Sequence, residues 1–176
     1  TSGAYSNRNP VSPYYPSLGK NTPLRVGVAY GTPWLDCPHG VPNTASTPDA
    51  AVLDIVGDLD VRVDAELAVW GEGFDIALDF AELIGKYTTT GNQRSWRLTV
   101  TSYGVLNLTW SADGTTTLSA ESDTLYVAPN SRMSVRATLD VDNGASGHTV
   151  TFYTSTTPGT AGPWTQLGQP VAAAGT

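Results

Sequence analysis

Apolar and polar residues alternate with a period of two along much of the chain. The clearest run covers residues 59–70, where charged residues occupy every second position from Asp60 to Glu66. Such alternation predicts a strand with one buried and one wetted face. The same phase predicts inward-facing sets in the following strands: Leu59, Val61, Val63, Ala65, Leu67 and Val69; Trp96, Leu98 and Val100; Leu106, Leu108 and Trp110; Met133, Val135, Ala137, Leu139 and Val141; Val150 and Phe152.

Turn signals separate these strands at short intervals. Asp113-Gly114 and Asn143-Gly144 are typical hairpin turns, and Tyr103-Gly104 is a weaker one. No segment shows a sustained helical period. A series of about ten strands with tight turns and no intervening helix predicts an all-β, two-sheet antiparallel sandwich of jelly-roll type.

The first fifty residues follow a different pattern. Three prolines surround Tyr14 and Tyr15, which favours an extended arm over residues 1–23. We expect Tyr14 and Tyr15 to form an assembly element that is ordered only against another chain. Residues 24–30 alternate like one strand, and the four prolines of residues 31–48 predict a long loop.

Charge and composition exclude several functional classes. The chain has 16 acidic and 9 basic residues and a net charge of −7, and it offers no basic stripe for nucleic acid. No apolar run approaches the ~18 residues of a membrane span. Cys37 is the only cysteine, so no internal disulfide can form. One cysteine and two histidines are also too few for a dedicated zinc site. We therefore expect no cofactor and no metal.

Several stretches of the chain resemble a known family. They are similar to laminin-G-like, concanavalin A-like jelly-roll domains, and in particular to those of minor tail and other structural proteins of phages that infect actinobacteria. The stretches are residues 53–63, 83–87, 94–98, 108–114, 135–141 and 162–168. The resemblance implies a sandwich over residues 51–176 after a lead-in of residues 24–50.

The resemblance also implies a place and partners. It predicts a virion protein that contacts other virion proteins, as a homo-oligomer within an assembly. A complete domain of this family would continue with further strands that close the sheet. Either those strands are absent from this chain or another subunit supplies the missing edge, which leaves an edge open to pairing.

Because the same fold occurs in glycoside hydrolases, the acidic residues are candidates for a catalytic carboxylate pair. Laminarinase-like enzymes carry a Glu-x-Asp-x-x-Glu strand, and the nearest match here runs from Ala77 to Glu82. Alanine occupies the nucleophile position, so the carboxylate pair of retaining hydrolysis is missing. We expect no catalytic residues and no enzymatic activity. The alternative function is a secreted bacterial carbohydrate-binding module or a remnant glycoside hydrolase domain.

Two acidic groups have the spacing of calcium ligands. Asp58 pairs with Asp60, and Asp140 pairs with Asp142 and Asn143, but neither group has the full ligand set of a calcium loop. Turn chemistry explains both groups, because Asp and Asn favour turns.

Strand phase sorts the aromatic residues into two groups. Trp96 and Trp110 fall in register with the core, whereas Trp70 and Tyr153 fall on a polar face. Exposed rings beside charged groups are typical of surfaces that bind sugars. We predict Trp70, Tyr87 and Tyr153 as ligand-binding residues, which contact either a host cell-surface glycan or a neighbouring subunit. The sequence thus favours a non-enzymatic virion structural protein used for assembly, adhesion or both.

Overall fold

The computed structural model describes residues 50–54, 57–67, 80–128, 131–157, 159 and 161–174, and the backbone of two strands before them. The chain divides into two compact units, Thr1–Asp49 and Ala50–Thr176. Trp70, Ala77 and the arm with Tyr14 and Tyr15 lie outside the described residues, so the predictions for them stay predictions.

The described part of the first unit is an antiparallel hairpin. Strand β1 (Arg25–Ala29) pairs with β2 (Thr32–Asp36). The strand predicted over residues 24–30 is confirmed, but the loop predicted over residues 31–48 is wrong where β2 lies. Pro33 stands in β2 because each strand of a two-stranded hairpin has a free side, where a missing N–H costs no ladder bond.

The described residues of the second unit form nine strands and two short 3₁₀ helices, Ala51–Leu53 and Thr90–Asn92. No helix among the described residues is long and apolar enough to cross a membrane. The strands are β3 (Leu59–Leu67), β4 (Phe80–Thr88), β5 (Gln93–Thr101), β6 (Val105–Trp110), β7 (Leu118–Thr124), β8 (Ser131–Asp140), β9 (Gly147–Ser155), β10 (Thr165–Gln166) and β11 (Val171–Ala174).

These strands form two antiparallel sheets. The four-stranded sheet is a meander in the order β4-β5-β6-β7. In the five-stranded sheet, β3 pairs with β8, β8 with β9, and both β10 and β11 pair with the other side of β9. The prediction of an all-β chain with two antiparallel sheets is confirmed. Within the described residues, β3 is paired along one side only.

The inner faces of the two sheets share one hydrophobic core. Leu98 and Leu108 of one sheet and Val135 and Phe152 of the other are fully buried in it. The inward phase predicted for β5, β6 and β9 is confirmed, and Met133 of β8 is partly buried against the core. The remaining described members of the core are Leu59, Val61, Trp96, Val100, Leu106, Trp110, Ala120, Leu125, Ala137, Leu139 and Val150.

One residue predicted to face inward does not. Val141 is 40% exposed, because β8 ends at Asp140 and the chain turns there. The three predicted turns do join consecutive strands, and each has its glycine at positive φ, as in Gly114 at 77°. Asp113 accepts hydrogen bonds from the backbone N–H of Thr115 and of Thr116, both at 2.7 Å, and these bonds hold its pKa well below the usual range.

Candidate functional site

Tyr153 lies on the outer face of the five-stranded sheet, because its neighbour Phe152 points into the core. It is paired in register with Arg136, and the guanidinium carbon of that arginine lies 4.9 Å from the centre of the tyrosine ring. Arg136 in turn donates two hydrogen bonds to the carboxylate of Asp60, each 2.9 Å long. The ring is thus flanked by a fixed cation–π contact on one side.

Asp60 organises the charges on this face. Besides Arg136 it accepts two hydrogen bonds from Arg62, at 3.0 and 2.7 Å. The hydrogen bonds from Arg62 and then Arg136 hold the pKa of Asp60 well below its usual range. Beside it runs an open groove of about 570 Å³, whose floor includes Thr138 and Thr151. Hydroxyls and fixed charges of this kind can bind the hydroxyl groups of a ligand.

A second polar network lies further along the same face. Asp64 accepts hydrogen bonds from the guanidinium of Arg132 and from the backbone N–H of Gly159, the latter at 2.8 Å. The buried hydroxyl of Ser134 donates to the carbonyl oxygen of Gly159 at 2.7 Å. This network fastens the segment after β9 to β3 and β8.

Tyr87 lies on the outer face of the other sheet. The guanidinium of Arg97 sits 4.2 Å from the centre of its ring and 4.8 Å from that of Phe80. Gly85 lies opposite Arg97, and a Cβ there would come within 2.7 Å of the arginine Cβ, so glycine allows Arg97 to cross β4. Tyr87 and Tyr153 therefore occupy opposite outer faces of the sandwich and cannot belong to one site.

For the acidic residues with calcium-like spacing, the turn explanation is confirmed for the group around Asp140 but is wrong for Asp58 and Asp60, because Asp60 lies within β3 and is bonded to Arg62 and Arg136. Asp58 accepts a hydrogen bond from the backbone N–H of Val141 at 3.0 Å. Asp140 accepts the N–H of Asp142 at 3.1 Å, and Asp142 accepts that of Gly144 at 3.2 Å. No group of three metal-ligating side chains comes together among the residues that the structure describes.

Glu82, the last carboxylate of the hydrolase-like stretch, is exposed on β4 opposite Thr99. Glu82 faces outward because its two neighbours, Ala81 and Leu83, pack against the core. Because residues 77–79 of that stretch lie outside the described residues, the absence of catalysis stays a prediction.

Two exposed tyrosines were missed by the sequence reasoning. Tyr103 in the β5–β6 turn is 78% exposed, and Tyr126 after β7 is 94% exposed. The backbone N–H of Leu125 donates to the carbonyl oxygen of Gly104 at 2.7 Å, which holds the two loops together. We call these residues the tyrosine pair. Two features of the sequence indicate that these rings are exposed: Tyr103 precedes a turn glycine, and Tyr126 follows the inward-facing Leu125.

The opposite end of the sandwich contains a cleft between the two sheets, which we call the loop-end cleft. Its volume is about 330 Å³. The imidazole of His148 meets the indole of Trp110 nearly edge-on, with centroids 4.7 Å apart and planes at 80°. The main lining side chains are Leu59, Trp96, Trp110, Leu118, Val141 and His148. Sequence reasoning assigned both tryptophans to the core, where they are indeed buried, but it could not show the space beside them.

Hydrogen bonds fix the walls of the loop-end cleft. The indole N–H of Trp96 donates to the carbonyl oxygen of Leu53 at 3.3 Å. In the β8–β9 turn, the side-chain amide of Asn143 donates to the carbonyl oxygen of His148 at 3.0 Å and to the hydroxyl of Thr149 at 3.3 Å. The cleft is thus held open by its own framework.

No protein-family model, curated protein or solved structure matches this chain. Its geometry and the sequence resemblance are therefore the basis for a functional proposal.

Proposed function

We propose that this chain is a non-enzymatic structural protein of a phage virion, a minor tail protein or a similar component. Its sandwich, of the concanavalin A-like, laminin-G-like jelly-roll type, contacts other virion subunits, a host-surface glycan, or both. The virion assignment is supported by the sequence resemblance. The contact role is carried by the tyrosine pair.

The chemistry of the tyrosine pair suits contact with another surface. Tyrosine offers a large, rigid ring with a polar tip and loses little conformational entropy on binding. The chain segments that carry Tyr103 and Tyr126, residues 99–106 and 124–128, contain no charged side chain. A partner that binds these segments meets no electrostatic repulsion from them and does not have to desolvate a charged group. This favours a neutral protein or glycan surface as the partner.

The jelly-roll assignment has support from the strand order. The chain forms β3, crosses to the opposite sheet for the whole meander β4 to β7, and returns to place β8 beside β3. Strands that cross between two sheets around one core are the general plan of such sandwiches. Among the described strands the side of β3 away from β8 is unpaired, which gives a neighbouring subunit a further edge to pair with.

Assembly is favoured over glycan adhesion as the main contact. Tyr87 and Tyr153 were both predicted as ligand-binding residues, and each ring has a guanidinium stacked beside it. A sugar stacking on that side of Tyr153 would have to displace Arg136 from its two bonds to Asp60, at the cost of a charge-assisted contact.

The test is a phage that carries the double variant Tyr103→Ser/Tyr126→Ser in the full chain. Incorporation into particles is measured by quantitative immunoblot and immunogold electron microscopy, with near-UV circular dichroism of the purified chain as the folding check. Loss of an aromatic anchor pair should reduce incorporation by about tenfold or more. The matched control, Thr116→Ala/Thr117→Ala, alters two exposed residues at the other end and should incorporate normally.

The outcomes of this experiment distinguish subunit assembly from glycan adhesion. Normal incorporation with weaker adsorption to host cells assigns the tyrosine pair to glycan adhesion. Normal incorporation and normal adsorption overturn the contact role of the pair. Absence of the wild-type chain from purified particles overturns the virion assignment itself.

A further inference from the structure

We propose that the loop-end cleft is a binding pocket for one aromatic side chain of a partner peptide segment whose flanking residues are neutral or basic. This site is distinct from the tyrosine pair and lies at the other end of the sandwich. It does not depend on the virion assignment.

The size of the cleft fits a single ring. An apolar cavity of about 150 Å³ suffices to hold benzene. The loop-end cleft has about 330 Å³ and opens to the surface, so it has room for a phenol or indole ring together with the first atoms of its side chain. Pockets of a few hundred Å³ with mainly apolar walls are typical of ligand sites.

The lining favours an aromatic ring over a sugar. The walls are mostly hydrocarbon and aromatic, with Leu59, Leu118 and the two indoles, and few polar groups reach the cleft. A sugar ring would bring hydroxyl groups on all sides, and each one left unpaired against such walls would cost free energy. The carbon atoms of an aromatic ring need no hydrogen-bond partner there, and the ring gains edge-to-face contacts with Trp110 and His148.

Charge determines which flanking residues the cleft accepts. Among the described residues that line the cleft, Asp142 carries the only carboxylate, and His148 is the only other side chain that can be charged. The rim is thus negative, so it attracts lysine or arginine beside the aromatic residue and repels glutamate or aspartate.

The pocket is already in its binding shape. The bonds of Trp96 to Leu53 and of Asn143 to the start of β9 fix opposite walls. Arg94 donates to the carbonyl oxygen of Gly114 at 3.0 Å, which anchors the β6–β7 loop near the same end. A partner therefore pays little ordering cost for the protein side of the complex.

The experiment titrates the full chain with short fluorescent peptides and follows anisotropy. The probes are Lys-Gly-Tyr-Gly-Lys, the same peptide with alanine in place of tyrosine, and the same peptide with glutamate in place of both lysines. Free p-cresol and methyl α-glucoside serve as unlabelled competitors. The blocking variant is Ala112→Trp, which adds an indole at the lining of the cleft, and the matched control is Ala128→Trp, at an exposed position of the other end.

We expect the lysine-flanked tyrosine peptide to bind best. Ala112→Trp should weaken it by about tenfold, as should loss of the tyrosine ring, and Ala128→Trp should change it by less than about twofold. Equal binding of the glutamate-flanked peptide refutes the charge argument. Competition by methyl α-glucoside that Ala112→Trp abolishes makes the cleft a sugar site, and tighter binding of p-cresol than of any peptide makes it a small-molecule site. Either result overturns the proposal, as does equal peptide binding by the two tryptophan variants.

Discussion

Asp64→Asn should destabilise the sandwich by about 2 kcal/mol at neutral pH. The Asp64 carboxylate accepts bonds from two donors, the guanidinium of Arg132 and the N–H of Gly159. Asparagine keeps one acceptor oxygen but turns an NH₂ group toward the remaining donor. One of the two donors then faces another donor and loses its partner.

The magnitude follows from the kind of bond and its exposure. Hydrogen bonds to a charged group contribute about 1.5–3 kcal/mol each when they are well shielded from water. The side chains of Asp64 and Arg132 are 13% and 25% exposed, so water screens part of the interaction. The expected loss is therefore below the sum for both bonds, at about 2 kcal/mol.

The loss should depend on pH. Burial raises the pKa of Asp64, but the hydrogen bonds from Arg132 and Gly159 outweigh it, and the pKa lies below its ordinary value. A carboxylate with a lowered pKa in the folded state contributes its full stability above its pKa in the unfolded chain, about 3.9. That contribution disappears as the pH falls through the folded pKa. The difference between wild type and Asp64→Asn should therefore shrink below about pH 4.

The assay is urea unfolding followed by tryptophan fluorescence, at neutral pH and in steps down to about pH 3. Glu82→Gln makes the same chemical change at an exposed site and should alter the free energy of unfolding by less than about 0.5 kcal/mol. A double-mutant cycle with Arg132→Met isolates the pair. A loss under about 0.5 kcal/mol for Asp64→Asn, or a loss that stays constant with pH, would refute the reasoning.

Three further predictions concern the core, the turns and catalysis. Phe152→Ala removes a fully buried ring and should cost about 3–5 kcal/mol in the same urea assay. Gly114→Ala should lower the melting temperature more than Gly144→Ala: both glycines have positive φ, but only at Gly114 would a Cβ collide with a carbonyl oxygen of the β4–β5 turn. The chain should release no reducing ends from laminarin or host cell-wall polysaccharide, because Ala77 replaces a nucleophile. Release that Glu82→Gln abolishes would contradict this.

The sequence was a good guide where one face of a strand is buried. Alternation predicted that Leu98, Leu108 and Phe152 face inward, because the pleat fixes side-chain direction once a strand is present. It failed at Val141, since alternation alone does not show where a strand ends. It also failed at β2, where proline argued for a loop but an edge strand tolerates it.

The binding surfaces were harder to predict because they depend on pairing. Strand phase placed Tyr153 on a polar face but could not show that Arg136 lies beside it, since register between distant strands is not readable from one sequence. The loop-end cleft combines side chains from both sheets, from Leu59 to His148. Only the order of strands in space brings them together.

The pairing of β3 with β8 has a consequence for biosynthesis. Asp64 and Arg132, which join these strands, are 68 residues apart in the sequence. A ribosome that adds about 5–20 residues per second needs roughly 3–14 seconds to make that stretch. The strand pairing within the meander β4 to β7 is local in sequence and can form meanwhile. During this interval β8, the partner of β3 among the described strands, has not yet been made, and the charges at alternate positions of β3, from Asp60 to Glu66, discourage pairing with other nascent chains.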